Sequence, residues 1–191
     1  MTAPQKRTGP KPATPERLEK AALAYLERFA TSCAHLRRVL MRRVERSVQL
    51  HGTDRAAGVI VVDKLIERYK RAGLLDDRRF AEGRVASLRR RGGSARQIRA
   101  RLAAKGVAAP VVEAALAGHA DEGGRATSED DLAAAIAFAR RRRIGPFRLD
   151  AARDASRERD LAALGRAGFG YELARRVIEA ESVEELEDGA G

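Results

Sequence analysis

The chain has 191 residues, 44% of them hydrophobic but only 4% aromatic, with no Trp and a formal charge of +11. A single cysteine, Cys33, excludes an intramolecular disulfide and a cysteine-built metal cage. With no apolar N-terminal core and no apolar run of membrane length, the expectation is a cytoplasmic protein with no membrane partner.

Residues 1–15, MTAPQKRTGPKPATP, hold four prolines and little that could be buried, which predicts a flexible basic arm. Pro15 and Glu16 suit the first turn of a helix, with Thr14 as N-cap. Leading helices are expected at about 17–30, 77–91 and 129–143. The stretch VIVVDKLIERY (59–69) opens like a strand, but Val62, Leu65, Ile66 and Tyr69 recur at helical spacing, so it reads as helix. From Ser94, SARQIRARLAAKGVAAPVVEAAL reads as a helix carrying Ile98 and Leu102, a stop at Lys105-Gly106, and a second helix carrying Val111, Val112 and Leu116. Gly106 tolerates the positive φ of a helix C-terminus, and Pro110 suits a first turn. The end, EAESVEELEDGAG, is acidic and expected to fray.

The helical pattern repeats. Shifted by 62 residues, Ser156, Leu164, Gly168, Phe169, Leu173 and Ile178 fall on Ser94, Leu102, Gly106, Val107, Val111 and Leu116. In the other direction Ser32, Leu36, Arg37 and Leu40 fall on Ser94, Ile98, Arg99 and Leu102. Asp160 stands where Ile98 would, and the first copy carries a long insertion, VERSVQLHGTDRAAG. The fold expected is an all-α, elongated tandem array of three roughly three-helix repeats. After the arm, residues 16–75 form repeat 1 with its insertion near 44–58, 76–120 repeat 2, 121–180 repeat 3, and 181–191 a disordered acidic tail.

Charge is segregated: +16 in residues 1–105 and −5 in 106–191. Between Lys70 and Lys105 twelve basic residues face only Asp76, Asp77 and Glu82. On the helix from Asp77, with Asp76 or Asp77 as cap, Phe80, Ala81, Val85 and Leu88 form the apolar stripe. Arg84 projects between Phe80 and Leu88, so it must snorkel, pair with an acid or insert into a partner. The candidate contact residues of the middle repeat are Arg78, Arg79, Arg84, Arg89, Arg90, Arg91, Arg96, Arg99 and Lys105. Repeat 1 offers Arg37, Arg38, Arg42 and Arg43; repeat 3 offers Arg140, Arg141, Arg142 and Arg143. An arginine run thus ends the leading helix in two repeats. Arg gives planar, bidentate contacts to carboxylate or phosphate, so both protein and DNA partners fit this chemistry.

Enzyme chemistry has little footing. His35, His51 and His119 are scattered outside any HExxH pattern, Gly92-Gly93 reads as a simple turn, and no Walker-type loop occurs. Cys33 sits beside the spacing of Leu36 and Leu40 and reads as packed. Neither a cofactor nor a metal is expected. Three Tyr and five Phe, several on apolar stripes, do not suit base readout, which leaves weak non-specific DNA binding as the nucleic-acid alternative. A helical scaffold for an unrelated acidic protein is the other alternative.

The segment GLLDDRRFAEGRVASLRRRGGSARQIRARLAAKGV (73–107) resembles the central signature of the RecX regulatory family. Leu75, Asp77, Phe80 and Ala81 stand at the start of that signature, and Ile98, Arg99, Leu102, Lys105 and Gly106 at its end. Arg101 stands where the family often has an acidic residue. The resemblance implies a monomeric, non-enzymatic protein that lies along the groove of a RecA filament on DNA. It implies bridging of filament subunits and suppression of ATP hydrolysis, coprotease function and strand exchange.

Overall fold

The computed structural model describes residues 11–123, 127–148 and 153–188. The first ten residues of the expected arm, the segments 124–126 and 149–152, and tail residues 189–191 lie outside the described residues. Among the described residues the chain is all-helical, with no strand: α1 (Pro15–Leu26), α2 (Cys33–His51), α3 (Arg55–Arg71), α4 (Asp77–Arg89), α5 (Ala95–Ala104), α6 (Ala109–Glu122), α7 (Thr127–Arg142), a 3-10 turn (Gly145–Phe147), α8 (Arg153–Arg166), α9 (Tyr171–Glu179) and α10 (Val183–Asp188).

Local chemistry starts and stops these helices. Thr14 caps α1 by accepting from Arg17 N, with Pro15 in the first turn. Ser32 and Ser94, aligned by the repeat, cap α2 and α5 in the same way, accepting from His35 N and Gln97 N. Gly106 and Gly168, also aligned, both take positive φ, and the next residue donates back to Leu102 O or Leu164 O. The insertion of the first repeat is mostly helical. It lengthens α2 to 19 residues, ended by Gly52 at φ 63°, and Asp54 then caps α3.

Met1–Asp77 form one compact unit and Arg78–Gly191 another. In the first, α1–α3 bury Leu18 and Ala22, Leu36, Leu40 and Val44, and Val62, Leu65, Ile66 and Tyr69, with Leu75 closing the cluster. Each fully buried Leu or Val contributes about 1.5–3 kcal/mol. The arm is tied down as it reaches this core: Ala13 packs against it, and Ala13 N donates to Ser47 Oγ at 2.9 Å. Cys33 packs on the same cluster at the start of α2, where its backbone N–H donates to Asp77 Oδ1 at 2.8 Å. Burial, with the Asp77 carboxylate beside it, pushes the Cys33 thiol up to about 11. Because only the thiolate reacts, Cys33 is expected to exchange with a disulfide reagent on the order of tenfold more slowly near neutral pH than a thiol of ordinary pKa, and Asp77→Asn to quicken it. Kinetics with a chromogenic disulfide reagent check this; a rate equal to that of free cysteine would refute it.

The second unit holds two clusters. α4–α6 bury Phe80, Ala81, Val85 and Leu88, the stripe read from the sequence, together with Ile98, Leu102, Val107, Val112 and Leu116. α7–α9 bury Leu132, Ala135, Phe138, Ala139, Leu161, Leu164, Phe169, Val177 and Ile178. Asp160, standing in the place of Ile98, is likewise buried, and it accepts from Arg148 Nη2 at 2.8 Å and from Gly145 N at 3.2 Å. A buried carboxylate is tolerated because these donors replace its water.

The acidic tail departs from expectation. Residues 183–188 are helical, Leu186 is 2% exposed in the α7–α9 cluster, and Ser182 Oγ accepts from Glu185 N. One buried leucine and this cap hold a segment whose composition alone suggests fraying.

Candidate functional site

The two arginine runs of the second unit end α4 and α7. At the end of α4, Gly92 has φ 74°, and Gly93 N donates back to Leu88 O. At the end of α7, Arg143 takes the equivalent place with φ 53°, and Ile144 N donates back to Ala139 O. The two helices thus end in the same motif, and the arginines precede its left-handed residue in both.

Packing brings these two ends into one neighbourhood. Gly92 is buried against α7: a methyl group on it would lie 2.5 Å from Phe138 N and 2.8 Å from the Ala134 carbonyl oxygen. Gly92 is therefore a point of close backbone approach as well as part of a turn. One helical turn beyond Phe138, the Arg142 guanidinium lies over its ring, 5.3 Å from the centroid. The Phe138 ring meets Phe169 at 6.0 Å. Gly168, just before Phe169, lies against Ser94 Oγ and Arg96 Cβ, and Ser94 Oγ donates to Ala167 O at 2.7 Å. Arg90, Arg91 and Arg96 from one three-helix set and Arg141, Arg142 and Arg143 from the next are all exposed around this contact.

Arg89 does not belong to that surface. It was expected as a contact residue, but it is 4% exposed. Its Nε lies 2.8 Å from Asp130 Oδ2, an ion-pair distance without hydrogen-bond alignment. Its Nη1 donates to Asp131 Oδ1 and, at 3.2 Å, to Gly93 O. Asp131 Oδ1 also accepts from Ala95 N at 3.0 Å, and His119 Nδ1 stands 3.4 Å from Asp130 Oδ2. The reason is register: Arg89 is four residues after Val85 and eight after Ala81, on the buried stripe, and Asp130 and Asp131 neutralise it there. Arg84, expected on or beside that stripe, is exposed and makes no pair with Asp76 or Asp77.

Other candidates are engaged with their own unit. Arg99 grips Glu113 of α6 with two bonds of 2.7 and 2.8 Å, which holds the Glu113 carboxyl below its usual range. Arg78 pairs with Glu82 one turn on at 2.8 Å, Arg79 is exposed beside it, and Lys105 is the C-cap of α5. Arg140 lies over Phe147 at 5.4 Å. In the first unit Arg37 clasps Asp63 of α3 at 2.7 and 3.3 Å, which raises the guanidinium pKa further. Arg38 Nη2 lies 3.5 Å from His35 Nδ1, while Arg42 and Arg43 are exposed further along α2. A fork already closed on an internal carboxylate contributes less to a partner than an open one. Among the described residues, the candidates of the second unit that are exposed and not closed on an internal carboxylate are Arg84, Arg90, Arg91, Arg96, Arg141, Arg142 and Arg143.

Among the described residues no three His, Cys, Asp or Glu side chains are grouped to hold a metal ion, and no helix is long and apolar enough to cross a membrane.

Comparison with known proteins agrees with this architecture. Residues 76–116, which span α4–α6, match the family model of the RecX second three-helix domain. The chain is 43% identical over 172 residues to a protein named regulatory protein RecX from Myxococcus xanthus, covering 90% of this chain and 89% of the relative. It is 36% identical over 114 residues to the regulatory protein RecX of Agrobacterium fabrum, covering 60% and 56%. No solved structure matches the chain.

Proposed function

The chain belongs to the RecX family, and from that premise we propose that it binds the RecA nucleoprotein filament on DNA and inhibits its ATPase, coprotease and strand-exchange activities. It acts by occupancy rather than catalysis, lying in the filament groove and bridging subunits. The observation that carries this reading is the pair of arginine-ended helices, α4 and α7, presented by the same terminal motif in consecutive three-helix sets. A surface that repeats within one chain suits a partner that repeats along an axis. Exposed ion pairs give about 0–1 kcal/mol each, so binding strength comes from several acting together along the filament. A clamp across neighbouring subunits would resist the rearrangements that ATP turnover requires.

The direct test is ATP hydrolysis by the cognate RecA on single-stranded DNA, with this protein titrated in. DNA is kept in large excess so that competition for DNA cannot imitate inhibition. Loss of hydrolysis at substoichiometric protein is the expected result. Undiminished hydrolysis alongside intact DNA binding would instead make the chain a non-specific nucleic-acid-binding protein. At the residue level, reversing Arg90, Arg91 and Arg96 to Glu together is expected to raise the half-inhibitory concentration roughly tenfold or more. Helical circular dichroism should not change, since all three are exposed. Equal potency of the folded triple variant would remove this corner from the interface.

A further inference from the structure

The regulatory reading leaves one built feature of the first unit unused. A cleft of about 470 Å³ opens between α1, α2 and the anchored end of the arm. Its basic lining is Lys11, Arg17, Lys20, Arg43 and Arg46, with the His51 ring beside them, and no acid is among its lining residues. Helical spacing aims these groups at one another: Arg17, Lys20 and Ala24 share a face of α1, and Arg43, Ser47 and His51 share a face of α2. Of the acids on these helices, Glu19 pairs with Arg68 and Glu45 with Arg55, while Glu16 lies beside Arg17 in the first turn of α1 but does not line the cleft. The wall at residues 12–13 is fixed, because buried Ser47 accepts from Ala13 N and Arg17 Nη1 donates to Pro12 O at 3.2 Å.

We infer that this cleft binds a compact polyphosphate anion, as inorganic triphosphate or as the phosphate chain of a nucleoside triphosphate. Five lysine and arginine side chains gathered in a cleft with no acid among its lining residues repel one another, and an anion with several adjacent charges relieves that repulsion at once. The cleft lies in the size range of small-ligand pockets, and its concave shape suits a short charged chain better than a duplex backbone, which follows an open strip. Pro12, Ala13, Ala21 and Ala24 make one side apolar, a place for a sugar or base if the phosphate carrier is a nucleotide.

Titration calorimetry on the full chain at about 0.15 M salt tests this, with sodium tripolyphosphate, ATP and a short single-stranded oligonucleotide as separate ligands. Tripolyphosphate should bind saturably at one site. Arg43→Gln with Arg46→Gln should weaken it roughly tenfold or more, while Arg141→Gln with Arg142→Gln leaves it unchanged. Equal affinity for tripolyphosphate and ATP assigns recognition to the phosphates alone; tighter ATP binding adds the apolar wall. Absence of saturable tripolyphosphate binding, equal weakening in both double variants, or saturation by the oligonucleotide only would overturn the inference. These results are separable from the regulatory reading, whose readout is RecA hydrolysis.

Discussion

Replacing Arg89 with Met is expected to destabilise the fold by about 3–5 kcal/mol, measured by denaturant unfolding. The side chain is 4% exposed and faces Asp130, itself 3% exposed, together with Asp131. Removing the cation leaves the Asp130 carboxylate buried without its arginine, with only the His119 ring standing near, Nδ1 at 3.4 Å. The same substitution at Arg90, one residue on but exposed, should change stability by no more than about 0.5 kcal/mol. Combining Arg89→Met with Asp130→Leu should recover much of the loss, because an apolar pair of similar volume removes the orphaned charge. An unaltered midpoint for Arg89→Met would show that the buried pair is not what holds these helices. The practical point is that a charge-reversal test of the α4 arginine run must spare Arg89, since its reversal would unfold the surface it is meant to probe.

Gly92→Ala should be the other severe change. The residue sits at φ 74°, where a side chain costs about 1–2 kcal/mol, and the added methyl would meet Phe138 N at 2.5 Å. That neighbour is helix backbone and cannot turn aside, so α7 must shift or the α4–α5 turn must open. Gly52→Ala is the control: its φ is 63°, but nothing lies within 4 Å. Gly52→Ala should therefore show the backbone cost alone, and Gly92→Ala clearly more. On the proposed function, the Gly92 variant should also lose RecA inhibition, because Arg90 and Arg91 would no longer sit beside the end of α7. Equal destabilisation by the two substitutions would mean that the close approach is relaxed at little cost.

Much of this architecture was legible in residue spacing. Thr14 as a cap, Gly106 and Gly168 at matching helix ends, and the stripe of Phe80, Ala81, Val85 and Leu88 all follow from local rules that act within one or two turns. The arginine surface was legible only as a set of positions. Arg84 and Arg89 lie near the same apolar stripe, and what separates them is Asp130 and Asp131, about forty residues away and brought in by packing. A signal did exist: Arg89 continues the stripe at four residues from Val85, and an adjacent acidic pair precedes buried Leu132 on α7. The second role of Gly92 was hidden for the same reason, since a turn and a tertiary contact demand the same residue. The cleft of the first unit needed the arm folded back through Ala13 and Ser47, a contact with no sequence pattern.

The Arg89 cluster also bears on how the second unit comes apart. Tandem helical repeats ordinarily melt piecemeal, each held only by its neighbours' surfaces. Here the cation belongs to α4 and its counter-ions to α7, while Asp131 also steadies the first turn of α5. Losing α7 would strand a buried guanidinium within the preceding helices, so partial opening is penalised from both sides. The two three-helix sets are thereby fused into one cooperative block. A fragment ending before Asp130 would not behave as an independent miniature of the whole.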